Sequence, residues 1–223
     1  MGVIKDINKM LLMRVMRFVL VTGVMALSTS CLSVYWMEDA QTLGRGRWSV
    51  GMRAQGNVVP WAVAGERVFS SEMYIESQLA YGMTDAWDIG IVSSSLAMVG
   101  GTWKRRLYHS PGEQTLSVGG RYLLSLYDLL FDRKHTSIWQ VDLLYTRSFT
   151  RMDFTVKPSF VGITAAGRAV FGGLGAVGAQ MRLPMRDGLS LQAGFNIGWG
   201  DIYKSDPEYD LLFSGGVGFL YCF

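Results

Sequence analysis

Few residues in this chain are suited to chemistry, and they are scattered. His135 and Ser137 stand two apart in HTS (135–137), a spacing that puts both on one face of an extended strand. There an imidazole could take the proton of a serine nucleophile, with Asp132 upstream to orient the ring. The other histidine, His109, is remote in sequence, and no His/Cys/carboxylate cluster has the spacing of a metal site. Neither a metal nor a cofactor is expected. Glu72 and Glu76 share a strand face roughly 13–14 Å apart, too far for a glycosidase pair of carboxylates. Of the two cysteines, Cys222 is either a buried single thiol or, if first and last strands are neighbours, the partner of Cys31. No catalytic constellation is complete, and the expectation is a non-enzyme.

The elements that must position these residues are short alternating runs. LSLQAGFNIGW (189–199) is the cleanest: Leu189, Leu191, Ala193, Phe195, Ile197 and Trp199 lie on one face and Ser190, Gln192, Gly194, Asn196 and Gly198 on the other. Segments 48–55, 72–81, 137–147 and 152–160 repeat the pattern; 86–94, 115–124 and 168–182 do so with more noise, and 211–223 closes the chain. Segment 102–109 is the weakest, because TWKRRLYH sets Arg105 on the face of Trp103 and Leu107. The count is ten strands, with eight or twelve as the miscounts to watch. GMTD (82–85), SPGE (110–113), SFTR (148–151) and PMRDG (184–188) read as tight turns. NVVPWAVAGER (57–67), YDLLFDRKHT (127–136) and GDIYKSDPEYD (200–210) read as longer loops at the other end. Short turns at one end and long loops at the other are the up-and-down arrangement of an all-β antiparallel barrel.

Which face points inward decides where such a barrel lives. Charged residues are 17% and glycine is abundant at 27, yet no run after residue 30 is long and apolar enough for a membrane helix. The polar face mixes charges of both signs: Arg53, Lys104, Arg106, Arg121, Lys157 and Arg182 against Glu72, Glu76, Asp88, Asp142 and Asp153. Aromatics gather near strand ends, as interface girdles do, and the strands have the length of a tilted bilayer crossing. The reading is an inverted barrel, polar inside and lipid-facing outside. Isolated charges in a narrow lumen must pair, and ten strands leave little room for an open channel. A filled lumen is expected, with a narrow pore for ions or small solutes and a ligand site in the barrel mouth as rivals.

The N-terminus reads as an export signal. Lys5, Lys9, Arg14 and Arg17 precede the apolar FVLVTGVMAL (18–27), and STSC (28–31) follows. Residues 1–30 are thus a signal peptide, a signal helix ahead of the barrel; 31–44 are a periplasmic linker and 45–223 the barrel. Lys5, Lys9, Arg14, Arg17 and Asp6 account for the whole formal charge of +3, so the remainder is neutral and gives no argument for nucleic acid.

Four resemblances extend this reading. LSTSC (27–31) resembles a bacterial lipobox, which implies acylation of Cys31, although Ser28 stands where an apolar residue is usual; the alternative is cleavage near Ser28 or Ser30. FLYCF (219–223) resembles the C-terminal signature of Gram-negative outer-membrane β-barrels. That resemblance implies that Phe219, Tyr221 and Phe223 are read by the barrel-assembly machinery and that the last strand pairs with the first. CLSVYWMEDAQTLGRGRWSVG (31–51) is similar to the start of small uncharacterised barrels with a lipoprotein-type cysteine before a TLxxG segment. His135 and Ser137 resemble the His-x-Ser piece of lipid A deacylases, but Ile138 stands where that family has Asn. The expected function is a structural, envelope or surface-interaction barrel in contact with outer-membrane lipids, its surface partner unknown. The alternatives are a narrow pore, a lipid hydrolase, and a soluble periplasmic lipid-binding lipoprotein.

Overall fold

A strand with one apolar and one polar face must hide one of them, and a closed sheet does so without leaving an edge. The computed structural model describes residues 38–63, 66–95, 98–110, 113–126, 137–164, 174–200 and 210–223. Ten strands form: β1 (Trp48–Val63), β2 (Glu66–Thr84), β3 (Trp87–Ser94), β4 (Met98–Ser110), β5 (Gln114–Ser125), β6 (Ser137–Ser148), β7 (Asp153–Thr164), β8 (Leu174–Pro184), β9 (Leu189–Gly200) and β10 (Asp210–Cys222). Each pairs antiparallel with its neighbour in chain order, and β1 pairs with β10 to close the barrel. This is the ten-stranded up-and-down architecture expected from the alternation. The seam ends where Trp48 and Phe223 exchange both backbone hydrogen bonds at 2.9 Å. The expected signal peptide and Cys31 lie outside the described residues.

The polarity is inverted relative to a water-soluble barrel. Val50, Met52, Val141, Phe195, Val217 and Phe219 point outward and are exposed, whereas Arg53, Glu76, Gln140, Asp142 and Gln192 point inward and are no more than 2% exposed. Three outward tryptophans each sit across a strand pair from a glycine: Trp103 from Gly120, Trp139 from Gly162, Trp199 from Gly175. A Cβ on Gly162 would lie 2.2 Å from the Trp139 indole, so the bare glycine is the seat of the ring.

One expectation is corrected. NVVPWAVAGER is not a loop through its length: β1 continues to Val63 and β2 begins at Glu66, with Val63 opposite Glu66. Among the described residues β1 pairs with β10 up to Val58 and β2 with β3 from Glu76, so this hairpin extends past both neighbours. Backbone pairing outruns the side-chain alternation there, so periodicity could not place the strand ends. Of the strand expected at 168–182, residues 174–182 lie in β8 and 168–173 fall outside the described residues. The weak run 102–109 is a true strand with a register shift between Arg106 and Tyr108. That bulge puts Leu107 and Tyr108 outward in succession, which breaks a strict period of two.

The start of β1, Phe223 and the turns at 85–86, 149–152 and 185–188 lie at one end, hereafter the turn end. At the last of these, Asp187 and Gly188 both adopt positive φ (53° and 80°), the conformation a tight hairpin needs. Gly162→Val should expel the Trp139 ring and cost about 1–3 kcal/mol. Gly101→Val, where an added Cβ meets only the Gly90 carbonyl at 3.9 Å, should be near neutral. The temperature at which the folded band is lost on SDS gels compares the two.

Candidate functional site in the barrel lumen

The lumen is built in layers by the inward residues of successive strands. In the middle, Glu76 of β2 accepts from Arg53 of β1 at 3.2 Å and from Arg121 of β5 at 2.9 Å. Arg53 also donates to Gln78 at 2.7 Å, and Arg121 to Gln140 at 3.0 Å, whose amide nitrogen donates to Asp142 at 2.7 Å. One carboxylate thus holds two guanidiniums from different strands, and amides pass the network to β6. Burying either sign alone would be prohibitive, and this mutual satisfaction makes the layer tolerable. Toward the loop end, inward Val92, Met98, Leu123, Ile138 and Val161 are buried and apolar.

At the turn end the lumen is occupied by the chain itself. Residues 38–44, part of the expected linker, cross the mouth instead of hanging free. The Ala40 amide donates to Thr146 Oγ1 at 2.8 Å and its carbonyl accepts from Ser117 Oγ, so Ala40 is 0% exposed. Arg182 of β8 donates to Asp39 at 2.6 Å, and Lys104 of β4 pairs with Glu38 at 3.0 Å and Asp88 at 3.5 Å. The Leu43 amide donates to Asp88, and the Gln41 side chain to Ser148 at 2.9 Å. Five strands therefore hold one short segment. A cavity of about 160 Å³ remains beside it, bounded by Asp39, Arg53, Gln78, Arg182, Gln192 and Cys222.

The two carboxyls of the plug are displaced in opposite directions, although burial acts on both alike. Burial pushes Glu38 above its ordinary value, and Lys104 reverses only part of that. Burial also opposes ionisation of Asp39, but Arg182 and Lys104 outweigh it and hold this carboxyl below its ordinary value.

Of the residues singled out in the sequence, Arg53, Glu76, Asp88, Lys104, Arg121, Asp142, Asp153 and Lys157 are buried on the inward face, and Arg106 and Arg182 are half-buried. The Glu72 backbone lies in β2 opposite Asn57; its side chain, Asp132 and His135 fall outside the described residues. Ser137 opens β6 at the loop end, while His109 sits near the turn end with Nδ1 3.0 Å from Thr115 Oγ1. Among the described residues, no group of three or more His, Cys, Asp or Glu is placed to hold a metal. Phe219, Tyr221 and Phe223 face outward, Tyr221 and Phe223 with ring centroids 5.7 Å apart. Cys222 is a free thiol. Glu38, Asp39, Ala40 and Leu43 carry no periodicity and escaped the sequence reading; the adjacent acids just ahead of the first strand were the available signal.

No protein-family model matches the chain, and no curated protein matches it by sequence. Solved structures match it in fold. The COG4313 outer-membrane channel of Pseudomonas putida F1 is 11% identical, with TM-score 0.51 over 85% of this chain and 100% of that one. The β domain of the Bordetella autotransporter BrkA is 10% identical, TM-score 0.45, over 79% and 98%. Ail of Yersinia pestis is 10% identical, TM-score 0.34, over 80% and 99%. The chain has the fold of outer-membrane β-barrels.

Glu76→Gln should remove the carboxylate that Arg53 and Arg121 share and cost about 3–5 kcal/mol in urea unfolding. The plug should respond to pH in two stages. Docking favours the protonated Glu38, so protection of the Ala40 and Leu43 amides from exchange should rise as pH falls through the raised Glu38 value. It also favours the ionised Asp39, so protection should be lost as pH falls further, below the ordinary aspartate range and through the lowered Asp39 value. Hydrogen exchange corrected for its intrinsic rate reads both stages.

Proposed function

We propose that this chain is an outer-membrane barrel with a closed lumen, serving the envelope as a structural or surface-interaction element. The turn end and both termini face the periplasm. The observation that carries the reading is the plug: Ala40 is fully buried in the mouth, bonded to Ser117 and Thr146, directly below the Arg53–Glu76–Arg121 layer. The membrane part rests on the inverted polarity, since a wall of outward Val, Phe, Trp and Met has no stable partner in water. The same wall argues against a soluble lipid-binding lipoprotein, whose apolar face would line the interior.

A narrow pore is the second reading. The inward wall of β8–β10 is small, with Gly178, Gly194, Gly216 and Gly218, and beside it Gln180 Nε2, Gln192 Oε1 and Ser214 Oγ are buried without a protein partner among the described residues. Groups of this kind hold water, and displacement of the plug would join that water to the mouth. A hydrolase centred on Ser137 has no support from His109, which lies at the other end of the barrel. We further propose that Phe219, Tyr221 and Phe223 serve barrel assembly and that residues 1–30 direct export.

Two measurements test this. Val141→Arg, in the middle of β6 on the outer face, should cost about 2–4 kcal/mol in vesicles if that face meets lipid, and almost nothing if it meets water. In planar bilayers the wild type should show no steady conductance. Steady conductance in the wild type would favour the pore. Asp39→Ala, which frees Arg182, should produce brief openings.

A further inference from the structure

Arg105 is the residue that disturbs its strand in the sequence, and the structure gives it a specific setting. It points outward among apolar neighbours, opposite Trp87, the first residue of β3. Its guanidinium lies 5.3 Å from the centroid of the Trp87 ring, and Trp87 contacts Trp103 at 6.4 Å. A second outward arginine repeats the arrangement at the same end: Arg147, next to last in β6, lies 5.5 Å from the Phe149 ring and pairs across the sheet with Phe154. Neither has a carboxylate partner among the described ion pairs. Around them Arg45, Arg47, Arg151 and Arg186 are exposed at the turn end, against the exposed acids Asp85, Glu113 and Asp187. The rim is therefore net positive, although the lumen it surrounds is nearly balanced.

An arginine on a lipid-facing wall is costly at the bilayer centre and cheap near the interface. Resting on an aromatic ring fixes the guanidinium plane and leaves its donor edge open. A guanidinium fork presents two parallel N–H groups spaced for two oxygens of one phosphate. We propose that Arg105 on Trp87 and Arg147 on Phe149 are binding sites for the headgroup phosphate of a net-negative glycerophospholipid in the leaflet at the turn end. The aromatic ring sits beside the glycerol and upper acyl chains, and the surrounding arginines favour a headgroup without a compensating cation. The sites fix the depth of the barrel and collect anionic lipid around its plugged mouth.

The inference rests on the membrane reading, and one experiment separates the two. The full barrel is reconstituted into nanodiscs of equimolar phosphatidylglycerol and phosphatidylcholine, released, and its retained lipids are counted by native mass spectrometry. Wild type should retain phosphatidylglycerol over phosphatidylcholine by roughly fivefold per site. The Arg105→Gln/Arg147→Gln pair should bring the ratio close to one. Arg105→Lys should keep part of the preference, since charge remains but the fork is lost, and Arg186→Gln, which lacks an aromatic seat, should change it little. A wild-type ratio of one, or an unchanged ratio in the double variant, overturns the sites while leaving the membrane reading intact. A chain that stays outside the nanodiscs overturns the membrane reading, and the sites with it.

Discussion

The lumen depends on one carboxylate. Glu76 faces Arg53 and Arg121 inside the barrel, and its two oxygens bond one to each. Inverting a barrel turns its polar face inward, where charges can no longer be left to solvent. Each must find an opposite within the same narrow tube or remain neutral. The network that results spans β1, β2, β5 and β6, and the same pairing that makes the interior tolerable also fills it. The filling of this layer is thus a consequence of polarity as much as of size. Ten strands are few enough that the side chains of opposite walls meet.

The plug follows the same logic at the mouth. Lys104, Arg182 and Asp88 line the turn end, where β3, β4 and β8 alone would leave two cations and one anion. Segment 38–44 adds Glu38 and Asp39, so that Lys104 lies between Glu38 and Asp88 and Arg182 binds Asp39. Backbone groups of Ala40 and Leu43 then satisfy Ser117, Thr146 and Asp88. The segment is held chiefly by polar complementarity.

Much of this fold was legible in the sequence, because a period of two is the strongest signal a barrel strand carries. The ten segments, the inward phase of Arg53, Glu76, Arg121 and Lys157, and the outward phase of Phe195 and Phe219 all follow from alternation. Where alternation is absent, legibility ends. The extension of β1 and β2 past Val58 is set by backbone pairing, which leaves no mark in side-chain type. The bulge after Arg106 shifts the phase only at Tyr108; Arg105 keeps the outward phase of Trp103, and the residue that disturbed the pattern is an exposed arginine at the rim. The seats of Trp103, Trp139 and Trp199 on glycines require the register of two strands at once. The role of 38–44 requires the positions of five strands remote from it in sequence.

That remoteness has a bearing on the order in which the molecule forms. Asp39 and Arg182 are 143 residues apart, and Ala40 and Thr146 are 106. Contacts of such separation form late, because the intervening chain must be ordered first. Segment 38–44 leaves the ribosome ahead of every strand, yet its docking site does not exist until β3 through β8 stand side by side. The earliest-made piece of the described chain is therefore among the last to settle. A barrel still being assembled has an empty mouth, and the finished one fills it with the segment that precedes its first strand.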